Sequence, residues 1–230
     1  MTTDCPNPSI LVLMAAINEE QGIGPTLEDI KKNVQNSHII VVDGFSKDKT
    51  VEVAHALGAQ VVYRERHGKG DALAHAIANV TGDYDFVVLI DADYTYPAEF
   101  IPQMITAIEE NGSLGMVCGN RFNSNFRQEW KNSMFYMGNR ILGATHNLLN
   151  GVSMKDPLSG LRVVRWNLIT NWKPKSKGFD VEVELNHHVE RQGYDIQEID
   201  ISYRRRLGEK KLKARHGFQI LKRMIAEVKL

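Results

Sequence analysis

Short segments that are apolar along almost their whole length alternate with helical segments over the first 120 residues. This alternation limits the folds open to the chain. The apolar segments occupy residues 10–16, 39–42, 60–63, 86–90 and 114–120. Strands of this kind belong to parallel sheets that are covered by helices on both faces. We therefore predict an α/β fold with a mostly parallel sheet.

Helices are predicted between and after these strands from N-terminal signals and apolar periodicity. Thr26, which follows Gly24 and Pro25, is expected to be the N-cap of the first helix. The other helices are expected from about residue 50 and at 69–79, 97–110, 134–149, 180–193 and 217–228, with a further strand at 196–203. The last helix is expected to be amphipathic, because one face carries Phe218, Leu221, Ile225 and Val228.

Asp91-Ala92-Asp93 follows the fourth apolar segment directly. Alternate residues of a strand point the same way, so the two carboxylates are expected on one face, about 6–7 Å apart. Such a pair needs a counter-charge, which a hard divalent cation bound by oxygen ligands can supply. In open α/β sheets, ligands bind at the carboxyl ends of the strands. The pair therefore predicts a site for a divalent cation and a substrate phosphate.

Polar residues also follow two other predicted strands. Asn18-Glu19-Glu20 comes after the first strand and Asp43 after the second. Together with Asp91 and Asp93 they favour a ligand that has both hydrogen-bond donors and phosphates, with Asp43 as an acceptor for a base N–H or a ribose hydroxyl. The glycine patterns of P-loop and dinucleotide-binding sites are absent from the sequence.

Charge is unevenly distributed, although the net charge is zero. Between residues 201 and 230, ten Lys and Arg residues oppose two acids, so this segment carries +8 and the rest carries −8. Such a basic segment suits anionic lipid or phosphate, and the sequence has no motif that predicts nucleic-acid binding. The sequence also contains no signal-peptide pattern and no run of the ~20 apolar residues that span a membrane. We expect a cytoplasmic protein that binds peripherally to the membrane surface.

Six short motifs occur in an order that carries a family resemblance. They are Ile17-Asn18-Glu19-Glu20, residues 41–50, Gly68-Lys69-Gly70, residues 91–97, Gly119-Asn120-Arg121-Phe122 and residues 156–162. The set resembles the family 2 glycosyltransferases, which are inverting enzymes of the GT-A fold. Within them it resembles the dolichyl-phosphate and polyprenyl-phosphate mannose and glucose synthases. The resemblance implies a single domain over residues 1–230, with a nucleotide-sugar half at about 8–122 and an acceptor half at about 123–230.

The resemblance also implies a set of site residues. The nucleotide sugar would be held by Ala16, Asn18, Glu20, Asp43, Lys69, Asp91, Ala92 and Asp93. Asp91 and Asp93 would bind Mg²⁺ or Mn²⁺. The acceptor phosphate would be held by Arg121, Ser159, Arg162 and Lys131, or by Arg127 near Lys131. The catalytic residues would be Asp91, Asp93, Arg121 and Arg162.

The implied reaction is metal-dependent transfer of a hexose from a GDP-mannose or UDP-glucose type of donor to dolichyl or polyprenyl phosphate. A phosphate monoester has its second pKa near 6, so this acceptor needs cations rather than a general base. Two alternatives remain open. One is a soluble or glycan acceptor, for which Asp156 or Glu182 would be the candidate base. The other is a catalytically inactive protein that binds sugar nucleotides.

The chain departs from the family pattern at two positions. Thr95 stands where many mannose synthases carry a metal-contacting Gln, and Gly44 follows Asp43 where the family often has a second acid. The sequence therefore leaves both the sugar and the nucleoside base open.

Overall fold

A computed structural model describes residues 8–64, 68–122, 134–150, 153–211 and 214–228. In this part of the chain one seven-stranded sheet has the order β3-β2-β1-β4-β6-β5-β7. The strands are β1 (Ile10–Ala16), β2 (Ser37–Asp43), β3 (Gln60–Tyr63), β4 (Phe86–Leu89), β5 (Leu114–Asn120), β6 (Arg162–Arg165) and β7 (Asp195–Asp200). All run parallel except β6, which is antiparallel to both of its neighbours. The predicted α/β fold with a mostly parallel sheet is confirmed.

Eight α-helices accompany the sheet in the described residues. They are α1 (Glu20–Asn33), α2 (Thr50–Ala56), α3 (Lys69–Asn79), α4 (Ile101–Glu110), α5 (Met134–Asn150), α6 (Trp166–Ile169), α7 (Val181–Arg191) and α8 (Ala214–Val228). A short 3₁₀ turn, Ala98–Phe100, leads into α4.

Both faces of the sheet are covered, as the apolar runs predicted. In β1, Ile10, Val12 and Met14 pack with buried residues of α1 and α4 on one face. Leu11 and Leu13 pack with buried residues of α3 and α7 on the other face. Because period-2 alternation sends neighbouring side chains to opposite faces, a strand covered on both sides must be apolar throughout.

The predicted start of α1 is wrong. The helix begins at Glu20, and the carbonyl of Glu19 accepts the Gly22 amide at 3.0 Å. Thr26 is therefore inside the helix, where its hydroxyl donates to the carbonyl of Gly22 at 2.8 Å. Pro25 lies inside α1, where it lacks an amide donor and its ring crowds the carbonyl four residues earlier. The helix forms nonetheless and buries Ile23, Leu27 and Ile30.

The sequence patterns do not predict β6, which is only four residues long and has arginine at both ends. Arg162 pairs in register with Leu89 of β4 and with Cys118 of β5. Because β6 is antiparallel, its first residue lies beside the last residue of β4. The segment that precedes it, 156–161, is thereby delivered to the carboxyl edge of the sheet. β6 and β7 come from the predicted acceptor half, so both halves contribute to one sheet.

Helix α8 packs against α5 and α7, and it turns only part of its apolar surface inward. Ile220 and Met224 are buried, whereas Phe218 and Ile225 of the predicted apolar face are exposed. Three large apolar side chains of α5 are also exposed. We call these five residues the outer apolar surface: Met137, Ile141, Leu148, Phe218 and Ile225. Among the described helices, none combines the length and apolar character needed to cross a membrane.

Candidate active site

A cavity of about 500 Å³ opens at the carboxyl edge of the sheet. Residues at or just beyond the ends of β1, β2, β4 and β5 form one wall: Ala16, Gly44, Asp91, Ala92, Asp93 and Arg121. The second half of the chain forms the other wall with Gly160, Glu182, Arg206, Lys210 and Lys211. Helices α5 and α8 reach it through Tyr136, Asn139, His216 and Ile220. The cavity therefore lies where the sequence predicted a ligand site.

Asp91 and Asp93 both line the cavity, but they are not part of a strand. β4 ends at Leu89, and the two acids lie in the turn that follows it. Both carboxylates face the cavity, but strand alternation, from which we predicted their common orientation, is not the reason. Helix α1 packs closely against this turn: a Cβ added to Gly22 would lie only 2.7 Å from the carbonyl oxygen of Ala92. Glycine at the start of α1 thus allows the helix to pack against the backbone of the turn.

Asp91 is held by a buried lysine. The Lys69 ammonium donates to Asp91 Oδ1 at 2.6 Å and to Glu182 Oε1 at 2.7 Å. Burial raises the pKa of Asp91, but Lys69, with Arg121 and Arg206 nearby, outweighs it and keeps the pKa below its usual value. A Cβ added to Gly160 would lie 2.5 Å from Asp91 Oδ2, so only glycine fits there. Asp91 is therefore an ionised carboxylate in a fixed position.

Asp93 is paired with an arginine from the basic segment. Arg206 donates to Asp93 Oδ2 and also to Glu19 Oε1. The other carboxylate oxygen, Oδ1, accepts the Thr95 amide at 3.1 Å and the Thr95 hydroxyl at 2.5 Å. Burial and the charge of Asp91 raise the pKa of Asp93. The two aspartates thus interact electrostatically and have different counter-charges.

The basic segment lies against the Asp93 turn through its backbone. Amides of Arg204 and Leu207 donate to the carbonyls of Thr95 and Asp93 at 2.9 and 3.1 Å. The Lys211 ammonium donates to the carbonyl of Asn18 at 3.0 Å. We call residues 203–211 the basic strap. The sequence predicted the basic segment as a source of cations for an acceptor phosphate, but no motif singled out Arg206, Lys210 or Lys211.

Of the three residues Asn18, Glu19 and Glu20, it is Glu19 that lines the cavity. The Asn18 side chain accepts the Lys47 amide, and the Glu20 carboxylate accepts the Lys49 amide, so both support the turn after β2. Asn18 has a φ of +50°, so the chain leaves the extended conformation directly after β1. Burial raises the pKa of Glu19 to about 7, against the lowering effect of Arg206.

Asp43 is fully buried at the end of β2. Its carboxylate accepts the Ser46 amide at 2.9 Å and the Ser46 hydroxyl at 2.5 Å. The neighbouring Gly44 and Ile17 line the cavity, whereas Asp43 holds the shape of the turn. Contact between Asp43 and a nucleoside base stays a prediction.

Arg121 lines the cavity and forms a two-point pair with Asp156. Its Nε and Nη2 donate to the Asp156 carboxylate at 2.6 and 2.8 Å. The guanidinium also lies 5.8 and 5.5 Å from the ring centres of Tyr96 and Tyr203. Nη1 makes no hydrogen bond to the residues that the structure describes, so it is the nitrogen through which a phosphate could be bound.

Two other predicted acceptor residues do not line this cavity. Arg162 is buried, and its guanidinium donates to Asn186 Oδ1 at 2.5 Å and to the carbonyls of Pro157 and Ser159 at 2.8 Å. Ser159 is also fully buried, while Leu158 and Gly160 on either side of it face the cavity. Arg162 therefore holds the 156–161 segment in place through its backbone carbonyls. Lys131 and Arg127 lie outside the described residues.

The donor set at the Asp91–Asp93 turn fits a hard divalent cation. Two carboxylates face the cavity, and both are oxygen ligands of the kind that Mg²⁺ and Mn²⁺ prefer. Within the described ranges, no group of three or more His, Cys, Asp or Glu is arranged to enclose a metal ion. A cation held by these two residues would therefore leave coordination positions for substrate oxygens.

Known glycosyltransferase sequences match this chain. The sequence profile of glycosyl transferase family 2 matches residues 11–169. A dolichyl-phosphate hexose transferase of Haloferax volcanii is 32% identical over 222 residues, which are 95% of this chain and 93% of that protein. A low-salt glycan biosynthesis hexosyltransferase of the same organism is 29% identical over 211 residues, which are 90% of this chain but 50% of that protein.

The chain also matches solved structures of a glycosyltransferase. Glucosyl-3-phosphoglycerate synthase from Mycobacterium tuberculosis, in complex with Mn²⁺, UDP-glucose and phosphoglyceric acid, has a TM-score of 0.76 and 25% sequence identity. The match covers 97% of this chain and 81% of that chain. The same enzyme in complex with Mg²⁺ and UDP has a TM-score of 0.77.

Proposed function

The chain belongs to glycosyl transferase family 2 and is a glycosyltransferase of the GT-A fold, and we propose that it transfers a hexose from a nucleoside diphosphate sugar to dolichyl or polyprenyl phosphate. One observation carries the proposal. A single cavity at the carboxyl edge of the sheet combines two aspartates that suit a divalent cation with several cationic side chains.

The cations suit the diphosphate of the donor. Arg206, Lys210 and Lys211 of the basic strap line the cavity, and Arg206 pairs with Asp93. Arg206 Nε is buried and has no hydrogen-bond acceptor among the described residues. Such a donor can bind a phosphate oxygen, and hydrogen bonds between charged groups are among the strongest in proteins. The nucleoside would then extend towards Ile17 and Gly44, which line the cavity near the ends of β1 and β2.

In the proposed reaction, an oxygen of the acceptor phosphate attacks the anomeric carbon while the bond from that carbon to the diphosphate breaks. The configuration inverts, and no proton has to be removed because the acceptor is already ionised near neutral pH. Mg²⁺ or Mn²⁺ bound by Asp91 and Asp93 would neutralise the charge that develops on the diphosphate. Arg206 and the strap lysines hold the leaving group, and Arg121 binds the attacking phosphate through Nη1.

A lipid acceptor is supported by the position of the outer apolar surface. Helices α5 and α8, which carry that surface, also line the cavity through Tyr136 and Ile220. Exposed cations, Arg140 and Lys222, lie on the same two helices. Apolar side chains together with Arg and Lys on one surface are typical of helices that bind anionic membranes. We propose that this surface contacts the membrane and that the acceptor phosphate enters the cavity from there.

A second candidate is transfer to a soluble phosphorylated acceptor. It is favoured by the likeness to glucosyl-3-phosphoglycerate synthase, whose complexes contain phosphoglyceric acid. The chemistry at the anomeric carbon would be the same, since both acceptors need cations to position them. Only the identity of the acceptor differs.

The test is an assay of radiolabelled GDP-mannose, UDP-glucose and UDP-N-acetylglucosamine with Mn²⁺, each with dolichyl phosphate in detergent or with phosphoglyceric acid. Label in the organic phase is expected with one donor, and it should disappear when EDTA removes the metal. Label only in a water-soluble product would contradict the lipid acceptor and support the second candidate. No transfer from any donor to either acceptor would contradict the proposed function.

A further inference from the structure

Glu182 is a carboxylate in the cavity wall that has no role in the reaction described above. We propose that Glu182 Oε2 accepts a hydrogen bond from a hydroxyl of the hexose that is transferred, and that Glu182 is thereby a specificity-determining residue. The inference rests on the proposed function, because it assigns the position of the sugar within the same donor site.

Oε2 is the part of Glu182 that points to a ligand. The residue is only 7% exposed, yet it lines the cavity. Oε1 is bound by Lys69, whereas Oε2 is buried and accepts no hydrogen bond from any residue that the structure describes. Buried polar atoms in folded proteins are almost always hydrogen-bonded, so an unpaired one at a cavity wall indicates a partner that comes from the cavity.

The chemistry of the carboxylate selects the kind of partner. An ionised carboxylate is an acceptor only, so it needs a donor such as a hydroxyl. The phosphates of a sugar nucleotide carry negative charge and would be repelled. The strap residues Arg206, Lys210 and Lys211 attract those phosphates, and Arg206 belongs to the Asp93 side of the site. The charges of the cavity therefore orient a sugar nucleotide with its phosphates at the strap and its hydroxyl groups at Glu182.

Glu182 is also held in position beside Asp91. Lys69 Nζ contacts Asp91 at 2.6 Å and Glu182 at 2.7 Å, so one ammonium joins the two carboxylates. Glu182 is the second residue of α7, where the helix dipole favours a negative charge. A group in this position is fixed before the ligand arrives, and a fixed acceptor can distinguish a correctly placed hydroxyl from its epimer.

A different role for Glu182 is to serve only as a counter-ion for Lys69. The two roles differ in which ligands they affect. If Glu182 only positions Lys69 and Asp91, its loss would weaken the binding of a nucleoside diphosphate as much as that of the corresponding sugar nucleotide. If Glu182 binds the sugar, only the sugar nucleotide would lose affinity.

The test is calorimetric titration of the full chain with GDP and GDP-mannose, and with UDP and UDP-glucose, each in the presence of Mn²⁺. Glu182→Gln and Glu182→Ala are compared with the wild type and with Glu190→Gln, the same substitution on the same helix outside the cavity. In the Glu182 variants, the affinity for the preferred sugar nucleotide should fall about tenfold. The affinity for the nucleoside diphosphate should change less than twofold, and Glu190→Gln should behave as the wild type.

An equal loss for the diphosphate and the sugar nucleotide, or no loss for either, would overturn the inference while leaving the proposed function intact. If the wild type binds none of the four ligands, the proposed function and the inference fail together. Circular dichroism spectra of the variants check that they are folded. If Glu182→Ala is not folded, the comparison with Glu182→Gln decides the outcome.

Discussion

Arg206 donates a hydrogen bond to Asp93, a residue 113 positions earlier in the chain. The same guanidinium pairs with Glu19, which lies between β1 and α1. The pairing brings the basic strap across the carboxyl edge of the sheet and gives Asp93 a positive neighbour. A diphosphate and a cation that enter the cavity would therefore meet a guanidinium that is already in position.

Replacement of Arg206 should weaken donor binding more than it weakens the fold. We expect Arg206→Gln to raise KM for the nucleotide sugar about 10- to 100-fold, because a charged hydrogen bond contributes about 1.5–3 kcal/mol. Steady-state kinetics with varied donor would measure this. Arg205→Gln is the matched control, since Arg205 is exposed and lies outside the cavity. An unchanged KM in Arg206→Gln would remove the strap from the donor site.

Asp91→Asn should abolish turnover and leave the protein folded. The substitution removes a charge that the reaction needs at the diphosphate, and we expect kcat to fall at least about a hundredfold. Lys69 keeps Glu182 as a counter-ion, so Tm should change little. Transfer assays and thermal denaturation of the same preparation would check both parts. A variant that retains half of the wild-type kcat would show that Asp91 is not catalytic.

Asp156→Ala should destabilise the protein strongly. Arg121 is only 9% exposed, and the variant would leave its guanidinium buried without its partner. Breaking such a pair typically costs about 3–5 kcal/mol. Urea unfolding would measure the loss, with Glu28→Ala as a control at an exposed position on α1. A loss below 1 kcal/mol would mean that water reaches Arg121 readily.

Stability should fall at acid pH partly because of His146. This side chain is fully buried, and burial, with the positive charges of His187 and Arg162, lowers its pKa to about 4. In the unfolded chain the pKa is about 6.5, so a falling pH protonates the unfolded state first and favours unfolding. The contribution is complete above pH ~6.5 and is lost as the pH falls towards 4.

We expect this histidine to account for about 2 kcal/mol of the stability lost between pH ~7 and pH ~5. Urea unfolding at both pH values should show a smaller loss in His146→Gln than in the wild type. His55→Gln, at an exposed site on α2, should keep the wild-type dependence. Equal pH dependence in His146→Gln and the wild type would show that His146 titrates normally in the folded protein.

Binding to anionic vesicles should depend on the outer apolar surface and on the exposed cations beside it. Phe218→Ser combined with Ile141→Ser should reduce co-sedimentation, because both side chains are largely exposed. Lys222→Gln should weaken binding by about 1 kcal/mol at low salt. Tyr63→Ser, which removes an exposed aromatic ring from β3, is the control. Equal binding to neutral and anionic vesicles by every variant would exclude the electrostatic part.

The parts of the fold that follow from local patterns were predictable. β1, β2, β4 and β5 were found from apolar runs, because a strand buried on both faces has few alternatives in sequence. β3 was found from its two valines, although it is an edge strand that is only half-buried. β6 was not found, because four residues with arginine at each end look like an exposed loop. Only the structure shows that Arg162 is buried and Arg165 half-buried, and that both guanidinium groups donate to backbone carbonyls.

The candidate site was predictable at the strand ends and not beyond them. Asp91, Asp93 and Lys69 were expected near a ligand because they lie close to strand ends and glycine turns. Glu19 was not assigned to the site because the family resemblance implied its neighbours Asn18 and Glu20 instead. Arg206 was missed because contact across more than a hundred residues depends on the packing of the whole chain, which no local pattern records.

The inverted direction of β6 has a geometric consequence for the cavity. A strand of four residues is about 13 Å long. If β6 ran the same way as its neighbours, the segment before it would meet the sheet at the opposite rim, and Gly160 would be separated from Asp91 by that length. The reversed direction of β6 therefore places residues 156–161 in the wall of the cavity. Weakening the hydrogen bonds between β6 and its neighbours should displace this part of the wall before the rest of the sheet is disturbed.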